Sequence, residues 1–91
     1  MALHLLYNPS RLEQLQKVVR AEEAIIIVDE ALEAWSMISG ASDDRLPCAV
    51  HALANERVAA YPSGPLPNVS DIQYEDWVNL ARHHTPFVEW K

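Results

Sequence analysis

The stretch Ala24-Ile25-Ile26-Ile27-Val28 decides the fold of this chain. Four consecutive β-branched residues are typical of a strand that is buried on both faces, and such strands occur in parallel sheets. Two further apolar runs, Ala2–Tyr7 and Cys48–Leu53, have similar lengths, and each of the three runs leads into a segment with helical character. This alternation predicts an α/β protein with a small, doubly wound, mainly parallel sheet of four to five strands flanked by helices.

Capping residues indicate where the first three helices begin and end. Ser10 and Glu13 match a capping box, in which the hydroxyl and the carboxylate each satisfy a free backbone amide. Asp29 is placed to cap the second helix, which Gly40 closes, and Asn55 is placed to cap the third. The pattern therefore predicts one helix after each apolar strand.

The last third of the chain predicts a short edge strand and a final helix. Three prolines within Tyr61–Pro67 exclude helix there, because proline lacks an amide hydrogen and fixes φ. Val69–Ile72 then reads as an edge strand, and Tyr74–His84 as a helix with Trp77 and Leu80 on its apolar stripe. A parallel sheet needs cover on both faces, and four short helices supply little of it. This shortage favours a protein that works inside an assembly.

Composition bounds the class of protein. The 91 residues form one domain, residues 1–91, and the net charge of −6 with seven scattered basic residues argues against direct contact with nucleic acid. A single cysteine excludes an internal disulfide and fits a reducing compartment. The sequence contains no apolar stretch of membrane-spanning length, so we expect a cytoplasmic protein without membrane contact.

Ligand-binding motifs are sparse. In a doubly wound sheet the working crevice lies beyond the carboxyl ends of the strands. Nucleotide phosphates there need glycine-rich turns, but Gly40 and Gly64 are the only glycines and neither follows a strand. His4 and His51 lie in the middle of the first and third strands and would approach each other if these were neighbours, yet no third ligand stands beside them. We therefore expect neither a cofactor nor a metal.

Cys48 is the only candidate nucleophile. It follows Pro47 at the amino end of the third strand, opposite the expected crevice, whereas a reactive cysteine needs access and a lowered pKa. A free cysteine in such a place is more often a small buried hydrophobe. The sequence thus predicts no catalytic residue with any assurance from its surroundings, and Cys48 is retained only as the alternative nucleophile.

Three residues are candidates for a partner interface. Tryptophan is enriched in interface hot spots, although Trp77 lies on the apolar stripe of the final helix and also fits core packing. His51 would face a partner if it is not satisfied inside the fold. Trp90 is expected to dock, because exposed tails fray unless they are tied down. We expect removal of Phe87–Lys91 to weaken assembly more than folding.

Several short motifs together resemble the TusB/DsrH family of sulfur-relay proteins. Leu3-His4 with the following Pro-Ser turn resembles the family's opening, and Val50–Glu56 resembles its exit from the third strand. Asp76–Leu80, followed by His84 and Trp90, resembles its closing pattern. The resemblance covers nearly the whole chain in the expected order. It implies the flavodoxin-like, three-layer fold of DsrEFH-type proteins.

The resemblance also implies a function. TusB-like chains join TusC-like and TusD-like subunits in a heterohexamer with two copies of each subunit. This complex passes persulfide sulfur towards 2-thiolation of the tRNA wobble uridine, and TusE-like and TusA-like carriers are indirect partners. The place equivalent to the family's persulfide cysteine is Leu53-Ala54, where this chain has no cysteine. The resemblance therefore implies a structural subunit that is not an enzyme by itself.

Three alternatives stay open at this stage. The chain could be an active sulfur carrier that uses Cys48. It could serve as a DsrH-type subunit in sulfur oxidation, which has the same architecture. A stand-alone α/β ligand-binding domain that forms a homo-oligomer is the third.

Overall fold

The computed structural model describes residues 1–38 and 46–91. Within these residues it contains five strands: Leu3–Leu6 (β1), Ala24–Ile27 (β2), Ala49–Leu53 (β3), Val69–Ile72 (β4) and Phe87–Trp90 (β5). The helices are Leu12–Val18 (α1), Asp29–Glu33 (α2), Ala54–Ala60 (α3) and Tyr74–His83 (α4), and 3-10 turns lie at Pro9–Arg11 and Trp35–Met37. All strand pairs are parallel and the order is β4-β3-β2-β1-β5, which confirms the predicted α/β class.

The order of the strands determines which face each helix covers. The chain steps in one direction from β1 to β4, so right-handed crossovers place α1, α2 and α3 on one face. It then returns across the whole sheet to β5, and this reversed step places α4 on the opposite face. The first face is the larger core, which contains Leu15, Ile25 and Trp35. Among the described helices, α4 is the one that packs on the second face.

The first helix begins differently from the prediction. Ser10 and Glu13 do not form a capping box, because residues 9–11 form a 3-10 turn that places Ser10 inside the helical segment. The side chain of Asn8 does the capping. Its Oδ1 accepts hydrogen bonds from the backbone amide of Ser10 at 3.0 Å and from the hydroxyl of Ser10 at 2.8 Å.

The predicted caps of the second and third helices are also wrong. Asp29 is the first residue of α2 and makes no capping bond; its φ is +52° because the backbone turns from β2 into the helix at this residue. Asn55 is the second residue of α3, two positions after the N-cap residue Leu53, so it cannot cap the helix. Gly40 lies outside the described residues. A capping box is formed instead at α4, between Gln73 and Asp76.

The fifth strand was not predicted, and it ties the end of the chain into the core. Trp90 pairs with Leu6 of β1, and its indole Nε1–H donates to Nδ1 of the buried His4 at 3.0 Å. Because an indole can only donate, Nδ1 must accept, so Nε2 carries the hydrogen and donates to Oε1 of Glu23 at 3.0 Å. This chain of bonds links β5, β1 and the turn before β2.

Glu23 anchors the chain of bonds at its other end. Its carboxylate also accepts the backbone amides of Ala2 and Arg20, each at 2.9 Å. Burial opposes the charge, but the bonds from His4 and from the two amides outweigh it and lower the pKa of Glu23 from 4.5 to about 2. The carboxylate is therefore ionised at every physiological pH.

None of the described helices is long and apolar enough to cross a lipid bilayer.

Candidate partner interface

The face that carries α4 is only partly covered. Trp77 and Leu80 of α4 pack over the middle of the sheet, whose buried residues on this face are Leu3, Leu5, Ala24, Ile26, Val28 and Ile72. At one flank, Phe87 of β5 is 55% exposed. At the other flank, Ala49 and Ser70 are exposed. Parallel sheets are normally buried on both faces, so these flanks are where a partner could complete the layer.

A groove of about 370 Å³ runs along the flank between α4 and the strands β3 and β4. His51 comes from β3 and Ile72 from β4. The helix contributes residues spaced three to four apart, which share one face of α4. They include Asp76, Leu80, His83 and His84. The groove combines an apolar floor with polar groups along the helix.

The carboxyl edge of the sheet is acidic and shallow. Two neighbouring pockets of about 290 and 240 Å³ lie there, and both include Asp29. Glu56 and Glu33 line the first pocket, while Tyr7 and Asn8 line the second. These residues lie at the predicted working edge; Lys91 also lines the second pocket, and neither a cysteine nor a histidine is among the described residues that line the two pockets. Burial, and next a hydrogen bond to Glu89, raise the pKa of Tyr7 above its ordinary 10.0, so the phenol stays protonated.

Cys48 lies at the opposite edge. It precedes β3 at its amino end, is half-buried and packs against the larger core. Burial, with a smaller effect of the negative charge on Glu23, raises the pKa of the Cys48 thiol from 9.0 to about 11. The nucleophilic form of cysteine is the thiolate, so only a very small fraction of this thiol is in its reactive form at neutral pH.

The structure separates the two histidines, which would have approached each other only if the first and third strands were neighbours. β2 lies between β1 and β3, so His4 and His51 are not on adjacent strands. The register also places them on opposite faces: His4 is on the side of Trp90 and the large core, and His51 lines the groove. Within residues 1–38 and 46–91, no group of three or more His, Cys, Asp or Glu side chains could hold a metal ion.

The two candidate tryptophans serve different faces. Trp77 packs against the sheet as part of the second core, as its position on the apolar stripe predicts. Trp90 packs against the larger core and bonds to His4, so its side chain is used within the fold. Because β5 is a strand of the sheet, loss of Phe87–Lys91 also removes part of the fold, and its effect on assembly stays a prediction.

Sequence reasoning missed the role of the end of α4. His83 and His84 stand at the end of the final helix, where basic side chains commonly complement the helix dipole. In the structure both rings line the groove, and each Nδ1 contacts a carbonyl of the helix itself, Asn79 O at 2.8 Å and Leu80 O at 3.0 Å. The spacing of Asp76, Leu80 and His83 on one helical face carried this signal, but the sheet beneath them had to be known to interpret it.

A comparison with protein-family models and with curated protein sequences finds no match to this chain.

Proposed function

We propose that this chain is a non-catalytic, structural subunit of a TusBCD-like persulfide-relay complex, which acts in the cytoplasm in 2-thiolation of the tRNA wobble uridine. The observation that carries the proposal is the incomplete cover of the second sheet face, where α4 protects the middle and leaves both flanks open. Related α/β subunits would bury these flanks on assembly.

The position and state of the cysteine support a structural role. A sulfur carrier needs an accessible thiolate at the working edge of the sheet. Here the residues at the end of β3 are Leu53 and Ala54, and the one cysteine, Cys48, is half-buried at the other end of the strand with a raised pKa. These facts count against the alternative in which Cys48 carries the persulfide.

Co-expression with TusC-like and TusD-like chains from the same genome tests the proposal. The expected result is a single complex with two copies of each subunit, measured by size-exclusion chromatography with light scattering. The Cys48→Ser variant should assemble and support tRNA thiolation as the wild type does. A chain that stays monomeric beside these partners would refute the proposal.

Two further outcomes separate the alternatives. A stable homo-oligomer that ignores the partners would favour a stand-alone ligand-binding domain. Assembly with the partners but no effect of gene deletion on thiolated tRNA would favour the sulfur-oxidation branch.

A further inference from the structure

We propose that the groove between α4 and the strands β3 and β4 receives a lysine or arginine side chain from a partner subunit. This inference rests on the proposed function, because it assigns the chemistry of one contact on the face that a partner would cover. It is argued from the hydrogen-bonding capacity, the charge and the apolar floor of the groove.

The helical histidines offer acceptors to a ligand. A carbonyl oxygen can only accept a hydrogen bond, so the contacts to Asn79 O and Leu80 O place the ring hydrogen of His83 and of His84 on Nδ1. In the neutral form of each ring, Nε2 is then left as an acceptor. These two rings therefore favour a ligand that donates hydrogen bonds.

His51 lines the groove without adding a positive charge to it. Its Nδ1 is buried and has no hydrogen-bond partner within the described residues. Burial, and next the nearby His84, lower the pKa of His51 below 6.5, although Asp76 acts in the opposite direction. The imidazole therefore stays neutral at pH 7 and does not repel a cation.

Asp76 gives the groove its formal negative charge. Its Oδ2 accepts the backbone amide of Gln73 at 2.9 Å, which fixes the carboxylate at the start of α4. None of the described residues that line the groove is a lysine or an arginine, and Arg82, in the last turn of α4, is not among them. The carbonyls at the end of α4 carry a further partial negative charge. The electrostatics favour a cation and disfavour an anion.

The floor of the groove determines what kind of cation fits. Ile72 and Leu80 line it with aliphatic surface. Lysine and arginine bury their methylene stems along such surface and keep their charged heads among acceptors. The head would contact Asp76 while the stem lies on the floor. Because the groove follows an open flank of the sheet, the side chain of a docked subunit can reach it.

The first experiment probes the groove without any partner. The full chain is titrated with n-butylguanidinium, a mimic of the arginine side chain, and the shifts of His51 and Leu80 are followed by NMR at pH 7.5. We expect saturable shifts and no change in Glu75→Gln. In Asp76→Asn we expect a dissociation constant about tenfold weaker, which corresponds to about 1.4 kcal/mol, because the variant loses the negative charge that pairs with the cation. Glu75 is the matched control because it is exposed in the same first turn and does not line the groove.

Two results would overturn the inference. One is absence of saturable binding at the groove, and the other is binding of the neutral analogue n-butylurea as tight as that of the cation. The Asn side chain can still accept the bond from Gln73, so a folded Asp76→Asn protein is expected and is checked by circular dichroism.

The second experiment separates this inference from the proposed function. In co-expression with the TusC-like and TusD-like chains, Asp76→Asn should weaken assembly at least tenfold relative to Glu75→Gln. If wild type assembles and Asp76→Asn assembles equally well, the inference fails while the proposed function stands. If wild type does not assemble although n-butylguanidinium binds in an Asp76-dependent way, the proposed function fails while the cation site stands.

Discussion

Replacing Trp90 by phenylalanine should remove the bond that fastens β5 to the core. The phenyl ring keeps most of the apolar contact but lacks the indole N–H, so Nδ1 of His4 loses its donor at 3.0 Å. His4 is only 4% exposed, so its Nδ1 has little access to water as a replacement partner. A buried polar atom left without a partner costs about 1–3 kcal/mol. We expect a loss of this size in the free energy of unfolding, plus a smaller loss from packing.

Trp35→Phe is the matched control for this experiment. Trp35 is 2% exposed, and its Nε1 is buried without a hydrogen-bond partner among the described residues, so the substitution removes the same atoms and breaks no bond. Unfolding in urea, followed by far-ultraviolet circular dichroism, measures both variants. NMR should show the His4 ring hydrogen on Nε2 in the wild type. A loss below about 0.5 kcal/mol for Trp90→Phe, the level of an ordinary surface substitution, would refute the reasoning.

Three further predictions concern charge and reactivity. Because the folded protein lowers the pKa of Glu23, the stability this residue contributes is fully present above pH 4.5 and is lost as pH falls towards about 2. The difference between the two pKa values corresponds to at most about 3 kcal/mol of unfolding free energy, and to less with solvent screening. Urea titrations should show that stability depends less on acid pH in Glu23→Gln than in Glu22→Gln. Native Cys48 should react with iodoacetamide about a hundredfold more slowly than free cysteine at pH 8, because a pKa near 11 instead of 9.0 leaves about a hundredth of the thiolate. Equal reaction rates, measured by mass spectrometry, would contradict the burial of the Cys48 thiol. Nε and Nη2 of Arg57 donate two hydrogen bonds to the carboxylate of Asp71, at 3.1 and 2.8 Å. Arg57→Lys should lower the melting temperature, because lysine keeps the charge but cannot form this bidentate pair; an unchanged melting temperature would show that the pair is dispensable.

Four of the five strands could be predicted because each is a short run with its own pattern. The apolar runs of β1, β2 and β3 need no distant information, and the prolines of Tyr61–Pro67 mark the start of β4. β5 was missed because Phe87-Val88-Glu89-Trp90 is short and carries a charge, and its partner β1 lies at the other end of the sequence. The alternation was visible, with Val88 and Trp90 half-buried and Phe87 and Glu89 exposed, but only pairing makes it a strand.

The site could be predicted only in outline. The position of Cys48 before an apolar run already predicts that it lies at the wrong end of the strand for a nucleophile. The structure adds that its pKa is raised. The groove could not be predicted without the strand order, because the crossover from β4 back to β5 is what brings α4 over β3 and β4. The relation of His51 to the groove residues Asp76 and His84 depends on where α4 lies, and no local pattern reveals that. The cap of the first helix was predicted at the wrong residue for a different reason: Asn8 and Ser10 are both good capping residues and lie only two positions apart.

The strand order has a consequence for how the molecule folds. β1 is the first strand along the chain but lies inside the sheet, and its outer edge is filled only by β5, with Leu3 opposite Phe87. The steps from β1 to β4 can form one after another with local crossovers. Until residues 87–90 pair with β1, however, the outer edge of β1 keeps unpaired backbone amides and carbonyls. An open strand edge of this kind is a template for aggregation. The sheet is therefore most vulnerable just before its last pairing, the longest-range contact in the fold and hence the slowest to find.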